Sequence, residues 1–467
     1  MPSRLSDAEI FRSNQAWYED TGASAWGDDK VPYYAASNAG SARATAEVVA
    51  AFASEVGAPV QIVEIGCGSG RFGFLLALEL EELLPQGGWT LTLTDAAPSL
   101  VDAVRSNDAF QRLEHPERVR FEVLDAVEAP TVGGDGPLVL VANYLIDSLP
   151  QDAFLQVDGA LQEVHYDPAL AAVPAPLEPY GEPALDAVVR RRAESLAADG
   201  PFTVPVAGLR LLEAAAQGRP AFLGIVADRG WVRDAEIPRQ LPVFDGHNGA
   251  VSLMVDLCAL QAWGELAGWG LLPAPRPAHV HWVTVARGLP SDGATARMAR
   301  RVFDETSPMD HVYAFTSAVW AGKSLVYRLV FAHLRLARWD PDAFLWIQEA
   351  LSNELSGEVQ GFRSALFDLL QDVLARRYDV PGRLPLEPAV AAVYRAHGAY
   401  AEAEALLVAR IGRAGGTAAL WRDVAGCRQA LGRLPDALEA LDQALACDPF
   451  DEEARMLRER MARRRKR

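Results

Sequence analysis

Cysteine is scarce. Cys67, Cys258, Cys427 and Cys447 are the four in 467 residues, and no two of them make a Cys-x-x-Cys pair. That spacing excludes a disulfide framework and a cysteine-ligated zinc site. Lysine is rarer still, at Lys30, Lys323 and Lys466. Positive charge is short overall, with 44 Lys and Arg against 62 Asp and Glu and a net charge of −18. A phosphate backbone would be repelled, which argues against nucleic acid as the main partner. The basic run Arg463-Arg-Arg-Lys-Arg467 reads as a solvated helix end. No apolar stretch is long enough to span a bilayer, and Met1-Pro-Ser-Arg-Leu-Ser-Asp has no signal-peptide core. No membrane partner is expected, and a cytoplasmic location is. His279 and His281 share a strand face, but no third ligand is in view, so no metal is expected.

What is present is a large apolar fraction, 50%, enough for real cores. The length suggests two or three domains. The most informative stretch is Val60-Gln-Ile-Val-Glu64-Ile-Gly66-Cys-Gly68-Ser-Gly70-Arg-Phe-Gly73. An apolar strand ends in an acid, then a glycine turn opens a helix. Glycine lets backbone come close to a ligand, and the helix end attracts negative charge. Two registers compete. Gly68-x-Gly70-x-x-Gly73 matches the dinucleotide fingerprint, but Gly68 arrives two residues after the strand and Gly73 falls inside the helix. Gly66-x-Gly68-x-Gly70 behind Glu64 resembles the loop of class I S-adenosylmethionine methyltransferases, and this register is preferred.

The flanking chain reads as an α/β, Rossmann-like domain. Residues 1–40 are polar and aromatic, with Trp17, Tyr18, Trp26, Tyr33 and Tyr34, and either fold over the pocket or pack outside the sheet. A helix is predicted over 41–56, another from Arg71 to Leu84, and a strand over Trp89–Thr94 that ends at Asp95. An acid there bonds ribose hydroxyls in βαβ nucleotide folds. A helix from Pro98 to about Phe110 and a strand over 118–124 follow. The resemblance of the loop to class I methyltransferases implies that Asp125-Ala126 faces adenine; otherwise Asp125 simply caps a helix. The apolar strand Leu138–Ala142 delivers Asn143 and Asp147 to the carboxyl edge of the sheet, where ligands bind. Asn143 offers an amide oxygen to an amine; Asp147 orients a cationic acceptor or takes its proton, or caps a turn. A hairpin is expected over 153–166 and a loop from Asp167 to about Ala184. Helices at 185–198 and 207–217, a strand at 221–227 and a closing strand at 278–285 complete the domain.

Residues from about 14 to 286 resemble the MidA family of class I methyltransferases, which includes the mitochondrial arginine methyltransferase that assists assembly of respiratory complex I. The stretches are Tyr33-Tyr34 through Phe52, Glu64 through Gly70, Ala142-Asn143-Tyr144-Leu-Ile-Asp147-Ser-Leu-Pro150, Ala227-Asp228-Arg229-Gly230, and His247 with Val255-Asp256. The resemblance implies S-adenosylmethionine bound by Glu64, Gly66, Gly68, Gly70, Asp95, Asp125, Ala126 and Asn143, with Asn143 and Asp147 catalytic. The family's glutamate after the asparagine is Tyr144 here, which argues against a guanidinium acceptor.

Beyond about Thr295 the strand signals stop, and 303–378 reads as helical, with Trp320, Phe331, Trp339, Phe344, Trp346 and Phe367 as core. Tyr394, Gly398, Ala403 and Leu407 recur as Arg428, Gly432, Ala437 and Leu441, 34 residues on. That is the tetratricopeptide period. Cys427 and Cys447 read as small core residues. The expected division is a methyltransferase domain over 1–290 (N-terminal segment 1–58, core 59–290, insertion 167–220), a helical connector over 291–385, and repeats over 386–467. The expected activity is methyl transfer to a protein side chain recruited by the repeats, with a homodimer also possible. The alternatives are a non-catalytic scaffold, or a small-molecule methyltransferase that uses the repeats to oligomerise.

Overall fold

The computed structural model describes residues 2–27, 31, 34–130, 132–247, 249–268, 270–271, 280–305, 310, 312, 314, 316–317, 327–353 and 362–465. Two compact units form: Met1–Asp310 with Val380–Arg383, and His311–Asp379 with Leu384–Arg467.

In the first unit the chain runs β1 Ser3–Arg4, α1 Glu9–Thr21, α2 Ala39–Val56, β2 Val60–Ile65, α3 Arg71–Leu83, β3 Trp89–Asp95 and α4 Pro98–Arg105. Next come β4 Val119–Val123, β5 Leu138–Asn143, β6 Asp152–Val157, β7 Ala160–Tyr166, β8 Ala172–Ala175 and α5 Pro183–Ser195. The unit closes with β9 Gly200–Val204, α6 Val206–Ala216, β10 Phe222–Asp228, β11 Phe244–His247, β12 Ala250–Leu253, α7 Leu257–Leu266, β13 His281–Arg287 and α8 Ala294–Ala299.

The main sheet has seven strands in the order Gly270–Leu271, β13, β10, β5, β2, β3, β4. From β10 to β4 all neighbours are parallel, and β13 runs antiparallel to β10. This is the Rossmann-like sheet that the sequence implied. Parallel strands covered by helices on both faces must be apolar throughout. Accordingly β10 is buried at all its residues and β5 at all but Asn143. Helix α2 shows how local chemistry sets an end: the Asn38 side chain accepts from Ser41 N at 2.8 Å, and Gly57 stops the helix at φ +61°. The strand order reverses direction between β2 and β5, which opens a crevice at their carboxyl ends. Glu64, Asp95, Asn143 and Asp228 all lie at that edge.

A second sheet pairs β1, β7, β6 and β9 antiparallel, with β8 on β7. The predicted hairpin is β6–β7. Three of these strands were not foreseen. Ser3–Arg4 is held by register with Tyr166 and His165 and by the Arg4–Glu163 ion pair at 2.7 Å. Ala172–Ala175 lies inside the predicted loop, and Gly200–Val204 inside the predicted insertion. The helix expected from Pro98 to Phe110 ends at Arg105; Asn107 then caps a 3-10 turn over Asp108–Arg112. The closing strand begins at His281, while His279 and Trp320 lie outside the described residues. Among the described residues no three His, Cys, Asp or Glu side chains gather as a metal site, and no helix is long and apolar enough to cross a membrane.

The stretch 291–385, read from the sequence as one connector, is divided. Glu55 accepts from Ala294 N, Thr295 N and Thr295 Oγ1, which ties α8 to α2. The second unit holds α9 Tyr327–Leu336, α10 Arg363–Ala375, α11 Leu386–Ala396, α12 Tyr400–Ala414, α13 Ala418–Ala430, α14 Leu434–Cys447 and α15 Glu452–Arg465. Phe344, Leu370, Val390, Leu407 and Leu441 are buried in its core. The 34-residue spacing reappears in the backbone. Ala399 N donates to Tyr394 O and Arg433 N to Arg428 O, both at 2.8 Å, and between them Gly398 and Gly432 sit at φ +73° and +76°. Arg428, odd for an aromatic slot, spends its guanidinium on Glu404 at 2.8 Å and Asp436 O at 3.1 Å. Cys427 is buried as expected, but Cys447, the last residue of α14, is exposed.

Candidate active site

The loop after β2 is built to be approached. Gly66 and Gly68 have φ of +68° and +54°, which side chains bearing a Cβ rarely adopt. A Cβ at Gly66 would lie 2.9 Å from Leu145 Cδ1, and one at Gly68 2.4 Å from the Trp26 ring. Gly70, also left-handed at φ +76°, opens α3. Gly73 lies inside α3, as the preferred register requires.

These elements enclose a cavity of about 350 Å³. Its lining includes Glu64, Gly66, Gly68, Asp95, Asp125 and Ala126, and also Asn143, Tyr144, Asp147, Arg229 and Ser252. All the residues singled out from the sequence therefore gather here except Gly70, which shapes the loop from behind.

Glu64 is 2% exposed, and its Oε2 has no hydrogen-bond partner. Burial, with the Asp95 charge adding, pushes its carboxyl up to about 8. Asp95 accepts from Gly68 N through Oδ2 and from Ala97 N through Oδ1, both at 3.1 Å. Burial raises its pKa while those N–H groups oppose the rise. Its carboxylate thus braces the glycine loop, and the remaining lone pairs face the cavity. Asp125 does cap a turn, accepting from Val127 N at 2.8 Å, and lines the cavity as well.

Asn143 ends β5 opposite Ala227 of β10, and both atoms of its amide are buried without a partner. Tyr144 follows at φ +51°, a strained conformation for a bulky residue, with its N–H on Ala227 O at 2.8 Å. Asp147 is 3% exposed; its Oδ1 accepts from Ser148 Oγ at 3.0 Å, and its Oδ2 lies 3.6 Å from an Arg229 nitrogen. Burial raises its pKa, and Arg229 resists that. Beneath it Asp228 accepts from Asp147 N at 3.1 Å and Arg229 N at 2.8 Å. Burial, with Asp147 beside it, holds Asp228 well above the usual carboxylate range. Arg229 also binds Asp245 and Ser252 Oγ.

Sequence reasoning singled out neither Arg229 nor the aromatic side chains of the N-terminal segment as site residues. The cue for Arg229 was its place just past an apolar strand, at the ligand edge. Of the two placements left open for the N-terminal segment, the one over the pocket is observed: Phe11, Asn14, Tyr18 and Trp26 line the cavity.

The model of a family described as "putative S-adenosyl-L-methionine-dependent methyltransferase" matches residues 42–249. That segment is similar to this family. No curated protein matches the chain. An uncharacterized protein from Burkholderia thailandensis is similar at 16% identity over 63% of this chain and 90% of its own, with a TM-score of 0.44. A second B. thailandensis structure, bound to S-adenosyl-homocysteine, is similar at 17% over 63% and 90%, with a TM-score of 0.45. A methyltransferase from Aquifex aeolicus gives 10% over 49% and 82%, with a TM-score of 0.27.

The cofactor of the methyltransferase domain is S-adenosyl-L-methionine, and the residues present fit it. The molecule brings an ammonium, a ribose diol, an adenine amino group and a positive sulfur. The cavity brings the unpartnered Glu64 oxygen, the Asp95 and Asp125 carboxylates, and glycine backbone that a Cβ would cover.

Proposed function

We propose that the protein methylates a nitrogen of a protein side chain, gripped at Asn143 and Asp147, with the helical repeats recruiting the protein that carries it. The observation that carries this reading is the Asn143 amide: both atoms are buried and unpaired at the ligand edge of the sheet. A buried amide left without partners costs free energy unless a ligand completes it.

In this reading Glu64 faces the cofactor's ammonium, Asp95 its ribose and Asp125 its adenine. When bound, the cofactor supplies an already activated methyl group, so the protein's task is positioning. Asn143 Oδ1 accepts an N–H from the acceptor and aims the nitrogen lone pair into the cavity. Asp147, its proton affinity raised by burial, takes the proton that the nitrogen loses. Arg229 holds the Asp147 carboxylate in place. The protein-acceptor part draws support from the 34-residue recurrence of the helical turn.

The test uses the full chain with methyl-labelled S-adenosylmethionine and cell lysate. Label in polypeptide, lost on Asn143→Ala while S-adenosylhomocysteine still binds by calorimetry, is expected. Label confined to small molecules overturns the protein acceptor. Absence of binding to either ligand overturns the enzyme.

A further inference from the structure

Two aromatic side chains that precede the family-matched segment cross the cavity. The N-terminal chain is anchored on both sides of them. Ser6 N donates to Asp152 at 2.9 Å, Val251 N donates to Asn14 Oδ1 at 2.9 Å, and Arg71 reaches the Ser37 carbonyl at 2.5 Å. Between these ties Trp26 rests its indole on Gly68. Tyr18 lies against Trp26 with ring centroids 5.8 Å apart and planes tilted by 30°. Tyr18 and Trp26 line the same cavity as Asp95, Asp147 and Arg229. The Tyr18 phenol is pushed up first by burial, then by the charges of Asp147 and Asp95, while Arg229 opposes the rise. In the methyltransferase reading the pair thus shares the space in which methyl donor and acceptor must meet.

An aromatic face carries a negative quadrupole and attracts a cation. The methyl donor has a positive sulfur at that junction; the demethylated product has a neutral thioether. We propose that the Tyr18–Trp26 pair reads the charge on this sulfur, holding the donor in preference to its product. The inference rests on the methyltransferase reading above. It adds a selectivity that the glycine loop, which meets the same groups in donor and product, does not supply. Glu64 and Asp95 also favour positive charge, so removing one ring reduces the preference without abolishing it.

The experiment is calorimetric titration of the full chain with S-adenosylmethionine, S-adenosylhomocysteine and sinefungin, which carries an amine in place of the sulfonium. Trp26→Leu and Tyr18→Leu are expected to weaken S-adenosylmethionine and sinefungin by roughly 3- to 30-fold more than S-adenosylhomocysteine. Trp26→Phe keeps a ring with a weaker quadrupole and shifts the ratio less, in the same direction. It stands in should either leucine variant fail a melting check. Equal losses for all three ligands, or an unchanged donor-to-product ratio in Trp26→Phe and Tyr18→Leu, overturns the inference and leaves the methyltransferase reading intact. Wild-type protein that binds none of the three overturns both.

Discussion

The Arg229 guanidinium lies 3.6 Å from the Asp147 carboxylate, and both side chains are more than nine-tenths buried. Asp228 sits directly beneath them as a second buried acid. The cation is thus the counter-charge of Asp147, while burial holds Asp228 toward its neutral form. Removing one partner of a buried pair leaves an uncompensated charge. Arg229→Leu is expected to destabilise the protein by about 3–5 kcal/mol in urea unfolding. Asp147→Asn combined with Arg229→Leu should cost less than the sum of the single changes. A strictly additive double-mutant cycle shows that the two do not interact.

Asn143 separates stability from activity. Its amide makes no bond in the free protein, so Asn143→Ala removes an unsatisfied group together with a little packing. Unfolding free energy should stay within about 1 kcal/mol of wild type. Methyl transfer should fall about 100-fold, the scale for losing one positioned hydrogen-bonding group. A variant that loses stability and keeps its rate contradicts the assignment.

Glu64 sets a pH dependence. Its carboxyl is raised from 4.5 to about 8 by burial, with the Asp95 charge adding. A raised folded-state value means that its contribution to stability is fully present below about 4.5 and is lost as pH rises through about 8, on the order of 5 kcal/mol in all. Cofactor binding runs the other way. The ionised carboxylate pairs with the ammonium, so affinity should increase as pH rises toward 8 and gain nothing further above it, where the α-amino group gives up its own proton. Glu64→Gln should flatten both profiles, read by melting temperature and by calorimetry from pH 6 to 9.

Gly68 tests the loop without touching a charge. At φ +54°, with a Cβ 2.4 Å from the Trp26 ring, alanine is strained and collides. Gly68→Ala should cost about 1–3 kcal/mol and abolish S-adenosylhomocysteine binding. Gly57, also left-handed but with nothing within 4 Å of a Cβ, is the control. Gly57→Ala should leave ligand binding near wild type.

The central sheet was legible because buried parallel strands must be written as apolar runs: Leu138–Ala142 and Ala221–Ala227 had few other readings. The glycine loop was legible for the same kind of reason, since no other residue tolerates its angles. What escaped depends on distant partners. Ser3–Arg4 is a strand only because Tyr166 and His165 receive it, and Gly200–Val204 only because β6 does. Neither has a pattern of its own. Asp95 was placed at the correct edge, but its hold on Gly68 N is a contact across 27 residues that no spacing rule announces. The role of Arg229 depends on Asp147 and Asp245, on separate loops.

The cavity draws its lining from Ser6 to Ser252, and the sheet beneath it is closed by β13 at His281–Arg287. A fragment trimmed to 42–249 would therefore lack the aromatic wall and leave the fully buried β10 with an unpaired flank. An apolar strand with open hydrogen-bonding groups is a template for self-association. Such a fragment is expected to precipitate rather than bind, and the full chain is the practical starting point for crystallisation with ligand.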